Sequence, residues 1–417
     1  MVSRGKERWK LSQLSELLKL SDQEKKNRGL LNTPREIAQQ PDTWGGTFAR
    51  LQKSRPEIKE FLRAAGVGGD PSQAPTVILV GAGTSDYTAR ALVPLLRRMW
   101  KCEVIAVPST DLMTDFPDYV VPGRSYLWIS FSRSGQSPEG VTVLRKALAD
   151  APDIHHLVVT CNADGEMIRD VKGNRRAFAV LLDEAVNDRG LAMTSSFTNM
   201  VLAGQCLAHL GLANADSLDD YGDILGTLIE AGKSFLDIAA DRAAELAAGS
   251  YNSACFVGSG PLKAVATESG LKLLELTAGK IRTVTESALG LRHGPMAVLD
   301  KETLFVCYLS NDECKRKYEA DLLKEIGSKG LVRTRVAVGS NGKDLTSLAE
   351  LVLGPKMMRP VADYYRAPVD IMFGQLLGLF FSMRCGLKPD TPSPTGAINR
   401  VVQGVQIYDV CSPSLKI

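Results

Sequence analysis

From residue 76 onward, short apolar runs alternate with stretches of helical spacing. Residues 76–80 read Thr-Val-Ile-Leu-Val and lead into a glycine turn and a helix that is predicted to run to about Trp100. Further apolar runs occupy residues 103–107, 125–131, 156–161 and 177–182. This alternation predicts a parallel, doubly wound sheet, in which ligands bind at the carboxyl ends of the strands.

The same pattern begins again near Ser253. Residues 254–260, Ala-Cys-Phe-Val-Gly-Ser-Gly, repeat the strand and the glycine turn, and a helix is predicted through Ala278. Residues 303–309 and 335–338 supply further strands, while residues 212–248 have helical spacing. We therefore predict an α/β fold of two related lobes, each a doubly wound parallel sheet flanked by helices.

The domain limits follow from these patterns. Residues 1–50 are predicted to form a helical N-terminal arm, because the apolar positions in 11–20 have helical spacing. Residues 51–225 and 226–388 form the two lobes, which suits a chain too long for one ordinary core. Residues 389–417 contain three early prolines and are predicted to run extended and to close the site.

Composition narrows the class of protein. Hydrophobic residues make up 44% of the chain and charged residues 23%, as in a well-packed globular protein. The net charge is only +3, so no overall field favours nucleic acid or an anionic membrane. The first ten residues lack an apolar signal segment and no run of about 18 apolar residues occurs, so we expect a cytoplasmic protein with no membrane partner.

The cysteines are scattered and form no C-x-x-C pair. Several lie in apolar runs, so we predict reduced thiols packed in the core. The eight are Cys102, Cys161, Cys206, Cys255, Cys307, Cys314, Cys385 and Cys411.

A serine-rich loop follows the apolar run 125–131. The hydroxyls of Ser132, Ser134 and Ser137, with the backbone N–H groups of a helix that begins near Pro138, can surround phosphate oxygens while the helix dipole favours the negative charge. Arg133 can add a charge-assisted contact. The alternative is a serine-rich loop with an ordinary helix cap.

The first glycine turn, G-A-G-T-S from residue 81, also opens dinucleotide sites in other proteins. Asp86 stands where the third glycine of G-x-G-x-x-G would be, which argues against a nicotinamide or flavin cofactor. Gly83, Thr84 and Ser85 are then candidates for contacts to a sugar or a phosphate. The alternative is a plain tight turn with Ser85 as the helix cap.

The predicted helix 261–278 is apolar on nearly every face, so its few charged residues must face a cleft, a partner or each other. Glu268, Lys272 and Glu275 are spaced by four and three positions and share one face. A simple ladder of salt bridges along the helix and a catalytic cluster are both open at this point.

Together these segments resemble the SIS (sugar isomerase) domains of phosphosugar isomerases and aminosugar-phosphate synthases, which carry G-x-G-T-S followed by S-x-S-G-x-S. The E-x-x-x-K-x-x-E pattern from Glu268 and the H-G-P at His293 resemble the isomerase half of glucosamine-6-phosphate synthase. Residues 285–290 and 394–396 are similar to segments of the galactosamine-6-phosphate deaminase and tagatose-6-phosphate ketose/aldose isomerase family. The likeness extends from about residue 45 to the C-terminus.

The resemblance implies roles for individual residues. Glu275 would be the base that moves a proton between C1 and C2, with Lys272 and Glu268 fixing substrate or charge. His293 would open the sugar ring. Arg400 falls where related synthases carry a lysine, and because arginine stays protonated we expect it to act electrostatically. The other histidines, at 155, 156 and 209, are expected to have packing or surface positions.

The implied activity is conversion of a hexosamine 6-phosphate, galactosamine 6-phosphate, to tagatose 6-phosphate and ammonia. A plain aldose–ketose isomerase and a non-catalytic sugar-phosphate sensor are the alternatives; a sensor would normally carry a helix-turn-helix segment or lack the catalytic pair. We expect no glutaminase domain, because the first strand is already reached at residue 76.

The remaining expectations concern partners. No cofactor or metal is expected, because the sequence offers no clustered metal ligands. The partner would be a small sugar phosphate, not nucleic acid. The synthase resemblance implies a homodimer or higher homo-oligomer with shared active sites, in which His293 reaches the neighbouring subunit. The second lobe has Leu-Ser-Asn-Asp at 309–312 in place of the serine loop, so no second phosphate site is expected.

Overall fold

In the described part of the chain, five α-helices precede the first sheet. The computed structural model describes residues 11–212, 217–340, 347–402 and 404–408. The expectations for residues 1–10, for Cys411 and for the rest of the tail beyond 408 lie outside these ranges. The arm helices are α1 (Gln13–Leu18), α2 (Asp22–Arg28), α3 (Thr33–Ala38), α4 (Gln40–Lys53) and α5 (Arg55–Ala64). The helix predicted within residues 11–20 is confirmed as α1.

The first sheet is parallel throughout. Its strands are β1 (Thr76–Gly81), β2 (Val104–Pro108), β3 (Tyr126–Ser132), β4 (Ile154–Thr160) and β5 (Ala177–Leu181), in the order β2-β1-β3-β4-β5. The chain moves outward from β1 to β2 and then returns past β1 to β3. This reversal opens a crevice at the carboxyl ends of β1 and β3, the usual ligand position in such sheets.

Helices cover the first sheet. They are α6 (Thr84–Trp100), α7 (Ser109–Tyr119), α8 (Pro138–Asp150), α9 (Glu166–Val171) and α10 (Ser195–Leu210). Because helices lie on both faces, β1, β3 and β4 are almost entirely buried, which explains their unbroken apolar sequences.

The second sheet is also parallel, in the order β10-β9-β8-β6-β7. Its strands are β6 (Ser253–Gly258), β7 (Arg282–Ser287), β8 (Thr303–Tyr308), β9 (Thr334–Val338) and β10 (Leu351–Leu353). The accompanying helices are α11 (Ser217–Ala247), α12 (Pro261–Leu276), α13 (Glu313–Ser328) and α14 (Ala367–Arg384). The α/β fold of two lobes with doubly wound parallel sheets is confirmed.

Helix α12 lies at the centre of the molecule. It packs on α14 of its own lobe and on α6 of the first lobe. A Cβ at Gly374 would lie 2.2 Å from Ser269 Oγ, and one at Gly378 would lie 2.6 Å from Leu276 Cδ1, so these two glycines let α14 approach α12 closely. The charged face of α12 is thereby directed toward the first lobe.

The elements cross two of the predicted domain limits. Helix α4 continues past residue 50, and α11 runs through the limit between residues 225 and 226. The division into arm, two lobes and tail stays a proposal. No helix in the described ranges has both the length and the apolar character needed to cross a membrane.

The cysteines within the described ranges are free thiols. Cys161, Cys206, Cys255 and Cys307 are buried, as predicted, and Cys102 and Cys385 are partly covered. The prediction of a core position is wrong for Cys314, which is exposed in the first turn of α13, where the helix faces solvent.

Candidate active site

A cavity of about 210 Å³ lies at the carboxyl ends of β1, β2 and β3. The walls come from the turn after β1, the start of α7, the serine loop after β3 and the C-terminal tail. Among the predicted site residues, the lining includes Ser85, Ser132, Arg133, Ser134, Ser137 and Arg400. Six residues chosen from the sequence are thus brought to one cavity.

The serine loop is shaped by its own hydrogen bonds. The backbone N–H of Gly135 donates to Ser132 Oγ at 3.0 Å, and that of Gln136 donates to Ser134 Oγ at 3.2 Å. Gly135 has φ +59°, and a Cβ there would lie 3.3 Å from Gly165 Cα. Glycine therefore permits both the left-handed turn and the close passage of the neighbouring loop.

Ser137 precedes α8, with Pro138 in the first turn as predicted. Its hydroxyl makes no capping hydrogen bond to the helix. A Cβ at Gly140 would lie 2.6 Å from Ser137 Oγ and 3.9 Å from Ser109 Oγ, so the missing side chain preserves space between these hydroxyls. The helix N-terminus and the hydroxyls form a suitable environment for an anion.

Ser109 was missed by the sequence analysis. It begins α7, is 1% exposed, lines the cavity, and its hydroxyl has no hydrogen-bond partner among the described residues. The signal was present: Ser109 directly follows β2, and residues after neighbouring parallel strands meet at one edge of the sheet.

The two candidate arginines are bound to the backbone. Arg133 is buried, and its guanidinium donates to the carbonyl oxygens of Leu191, at 3.3 Å, and of Arg400. Arg400 Nε donates to Asp188 O at 2.7 Å, and Nη2 donates to Asn187 Oδ1 at 2.8 Å. Burial lowers the pKa of both arginines. A phosphate contact of Arg133 stays a prediction.

A second group joins α12 to the turn after β1. Lys272 Nζ lies 2.6 Å from Glu275 Oε2, 3.4 Å from Glu268 Oε1 and 3.0 Å from Thr84 Oγ1. Thr84 Oγ1 in turn donates to Glu268 Oε1 at 3.2 Å. The three charged residues do form salt bridges along the helix, but this face of α12 packs against the first lobe instead of facing solvent. The Thr84 hydroxyl is part of this group.

Burial governs the charges of this group. Lys272 and Glu268 are fully buried, whereas 23% of the Glu275 side chain is exposed. Burial raises the pKa of Glu268 to about 8, although nearby Lys272 opposes the shift. Burial alone would lower the pKa of Lys272, but the two carboxylates outweigh it and the pKa is raised. Glu275 is the more accessible of the two carboxylates for a ligand.

His293 lies apart from both groups. It is exposed in the loop after β7 and does not line the cavity. The neighbouring Arg292 donates from Nε to Glu325 Oε2 at 2.7 Å, which ties the loop to α13 of its own lobe. Within a single chain, therefore, His293 is not brought to the cavity, and its role stays a prediction.

The other histidines have structural positions. His155 and His156 lie within β4, and His156 is fully buried with its pKa lowered to about 3, chiefly by burial. His209 contacts Ser217 Oγ at 2.9 Å and the Tyr365 hydroxyl at 3.0 Å. The described part of the chain contains no group of three or more His, Cys, Asp or Glu side chains that could hold a metal ion.

In the second lobe, the loop after β8 is filled by a side chain of the protein. The carboxylate of Asp363 accepts hydrogen bonds from Ser310 Oγ at 2.5 Å, from the Asn311 N–H at 2.8 Å and from Arg366 Nη1 at 3.1 Å. Asp312 caps α13 through its side chain. An internal carboxylate thus takes the position that an anion would need.

Comparison with known proteins identifies the family. No protein-family model matches the chain. D-galactosamine-6-phosphate deaminase AgaS of Escherichia coli is 34% identical over 385 residues, which cover 90% of this chain and 95% of that protein. An AgaS protein of Streptomyces coelicolor is 39% identical over 388 residues, with 91% and 96% covered. The chain belongs to the AgaS family of SIS proteins.

Two solved structures have folds similar to that of this chain. Tagatose-6-phosphate ketose/aldose isomerase from Escherichia coli superposes with a TM-score of 0.80 and 31% identity, covering 90% of this chain and 96% of that one. The C-terminal domain of glucosamine-fructose-6-phosphate aminotransferase from Francisella tularensis reaches a TM-score of 0.70 at 18% identity, covering 86% and 98%, and indicates the shared fold alone.

Proposed function

We propose that this AgaS-family chain is an aminosugar-phosphate deaminase and isomerase that converts galactosamine 6-phosphate to tagatose 6-phosphate and ammonia. One observation carries the proposal: Ser85 lines the hydroxyl-rich cavity, and its neighbour Thr84 contacts Lys272 of the charged group on α12. A site for a phosphate and a site for proton transfer are therefore adjacent. A hexose 6-phosphate has its phosphate at one end of the molecule and C1 and C2 at the other.

The chemistry follows from this placement. The hydroxyls of Ser132, Ser134 and Ser137 hold the phosphate, and the sugar opens to its aldehyde form. The carboxylate of Glu275 removes the proton from C2 and delivers a proton to C1, while the aldehyde oxygen gains a proton and the amine nitrogen loses one. The aldehyde and the amine-bearing carbon thereby become a C1 alcohol and a C2 imine. Water then adds to the imine, ammonia leaves, and the ketose remains. Lys272 stabilises the negative charge that develops on the C1 oxygen.

His293 is proposed to assist ring opening from a neighbouring subunit, since it is exposed on its own chain and is not among the residues that line the cavity. In a dimer with two-fold symmetry the same surface of both subunits is buried and two sites are completed together. A homodimer in the cytoplasm is thus part of the proposal.

Complementation tests the shared site. Mixing His293→Ala with Glu275→Ala subunits, each inactive alone, should restore up to about one active site in two within mixed dimers. If the subunits exchange, as shown by differently tagged chains, and no activity returns, His293 serves its own chain or is not catalytic.

The overall reaction is tested with a panel of hexosamine 6-phosphates while ammonia and ketose are measured together. We expect equal amounts of both products from galactosamine 6-phosphate, with no added nucleotide or metal and no loss of activity with a chelator. Plain isomerisation is the second candidate, because the related Escherichia coli structure is that of a ketose/aldose isomerase. It would be established if an aldose 6-phosphate gave a ketose and no hexosamine 6-phosphate released ammonia. Tight binding without turnover would indicate a sensor.

A further inference from the structure

Residues 187–191 form a loop that holds the two arginines of the cavity wall. Arg400 donates to Asp188 O and Asn187 Oδ1, and Arg133 donates to Leu191 O. Arg400 lies in a part of the tail with neither helix nor strand. The direction of its guanidinium therefore depends on the acceptors that this loop presents.

Glu36 of the N-terminal arm fixes the loop from the opposite side. It lies in α3, is 1% exposed, and its Oε1 accepts from the backbone N–H of Arg189 at 2.5 Å and from that of Gly190 at 3.3 Å. A Cβ at Gly190 would lie 3.0 Å from Glu36 Oε2 and 2.9 Å from Thr33 Oγ1. Glycine is thus what allows the loop to approach the carboxylate.

The N–H of Arg189 and the carbonyl of Asp188 belong to one peptide unit. The described chain contains no cis peptide bond, so these two groups point in opposite directions from the same rigid plane. The Glu36 carboxylate binds one edge of that plane and the Arg400 guanidinium binds the other. Hydrogen bonds in such a chain polarise one another, so fixing one edge strengthens and orients the bond at the other.

The tail is attached to the same arm by a separate contact. The carboxylate of Asp390 accepts from the N–H and the hydroxyl of Thr33, both at 2.8 Å, and its carbonyl accepts from the Leu191 N–H at 3.1 Å. Arm, loop and tail are therefore connected both before and after Arg189. Burial, together with the nearby charge of Asp188, raises the pKa of Glu36 to about 7, so this carboxylate is held where the fold disfavours its ionised form.

We propose that Glu36 is a positioning residue for the phosphate site: through the Asp188–Arg189 peptide unit it sets the guanidinium of Arg400 at the cavity wall. The inference rests on the proposed function for the identity of the ligand. It gives the helical arm, for which the sequence suggested no chemistry, a defined effect on binding.

A double-mutant cycle tests the coupling, with inorganic phosphate as the calorimetric ligand and the KM for galactosamine 6-phosphate as the second readout. Glu36→Gln keeps the size of the side chain but replaces one acceptor oxygen with a donor. We expect phosphate to bind on the order of tenfold more weakly, with kcat unchanged. In an Arg400→Ala background the same substitution should have almost no further effect.

Thr47→Val is the matched control. Thr47 is a buried residue of the arm whose hydroxyl donates to Asn199 Oδ1 of α10 at 2.7 Å and not to the loop. The Thr47→Val substitution should lower the melting temperature without changing phosphate affinity. Gly190→Ala, which pushes the loop away from Glu36, should weaken phosphate binding as Glu36→Gln does and thus provides a second route to the same result.

The outcomes separate the two proposals. This inference alone is overturned if Glu36→Gln leaves phosphate affinity unchanged. It is also overturned if Glu36→Gln lowers phosphate affinity by the same factor whether or not Arg400 is present. Absence of phosphate binding by the unsubstituted protein overturns the phosphate site, and this inference with it.

Discussion

The loops after β3 and β8 occupy equivalent places in two sheets of similar topology, yet one is open and the other is filled. After β3, serine hydroxyls and the start of α8 face a cavity. After β8, Ser310 and Asn311 bind the carboxylate of Asp363, which Arg366 also contacts. We propose that this arrangement of strand, loop and helix binds an external anion in the first lobe, whereas in the second lobe it binds the internal carboxylate of Asp363.

The turns after β1 and β6 show how far the backbone repeat extends. Gly83 has φ +56° and ψ −125°, and Gly260 has φ +57° and ψ −128°. The next residue is Thr84 in one lobe and Pro261 in the other. The geometry of the turn is shared while its chemistry is not, so the first lobe supplies hydroxyls and the second supplies the charged helix α12.

Loss of the proposed base should have the largest effect. Glu275→Gln is expected to lower kcat by about 10²- to 10⁴-fold, because the amide cannot accept the proton from C2. Phosphate should still bind, since Glu275 does not line the cavity. Lys263→Gln is the control: Lys263 lies on the same helix as Glu275, the substitution breaks its exposed ion pair with Glu286 of β7, and most of the activity should be retained. Equal rates for the Glu275 variant and the parent would exclude the assigned role.

Removal of the Asp363 carboxylate from the loop after β8 should have the next largest effect. Asp363→Ala leaves Arg366 buried with one partner fewer and is expected to reduce the free energy of unfolding by about 3 kcal/mol, as measured in denaturant. Added formate should raise the melting temperature of this variant more than that of the parent, because a small carboxylate can take the vacated position. No difference between the two proteins in formate would contradict the view of Asp363 as an internal anion.

Glu268 should make stability depend on pH. Its pKa in the folded chain is about 8 and its ordinary value is 4.5, so between these pH values the folded state binds more protons than the unfolded state. Stability should therefore fall as the pH rises from 6 to 8, by about one kcal/mol per pH unit. Denaturant titrations of Glu268→Gln should lose this slope; an identical slope in the variant would show that another group is responsible.

Substitution of single serines should have the smallest effect, but it should distinguish the two lobes most clearly. Ser137→Ala is expected to weaken inorganic phosphate binding on the order of tenfold, because one hydrogen bond to a charged group is lost. Ser310→Ala, which removes a hydroxyl from the corresponding loop of the second lobe, should lower stability and leave phosphate affinity unchanged. Calorimetry on the two variants distinguishes them, and a reversed pattern would move the phosphate site to the second lobe.

The sequence predicted the elements whose burial is strongest. The strands with unbroken apolar runs, such as residues 76–80 and 303–309, were placed correctly because both faces of a parallel sheet are covered. Two strands were missed: β7 lies at the edge of its sheet and carries polar residues at half-buried positions, and β10 has only three residues.

Contacts between distant parts of the chain could not be predicted in the same way. The bond between Thr84 and Lys272 requires the packing of α6 on α12, and the link from Glu36 to Arg400 joins the arm, a loop and the tail. The position of Asp363 likewise follows from tertiary packing. None of these pairs has a periodic spacing that a sequence pattern could reveal.

A crystal structure with bound galactosamine 6-phosphate would show which lobe holds the phosphate. We expect the phosphorus atom to lie in the first lobe, with phosphate oxygens within hydrogen-bonding distance of Ser132, Ser134 and Ser137, and with the C1–C2 end of the sugar toward Glu275. A sugar phosphate bound only at residues 309–312 of the second lobe would contradict this expectation.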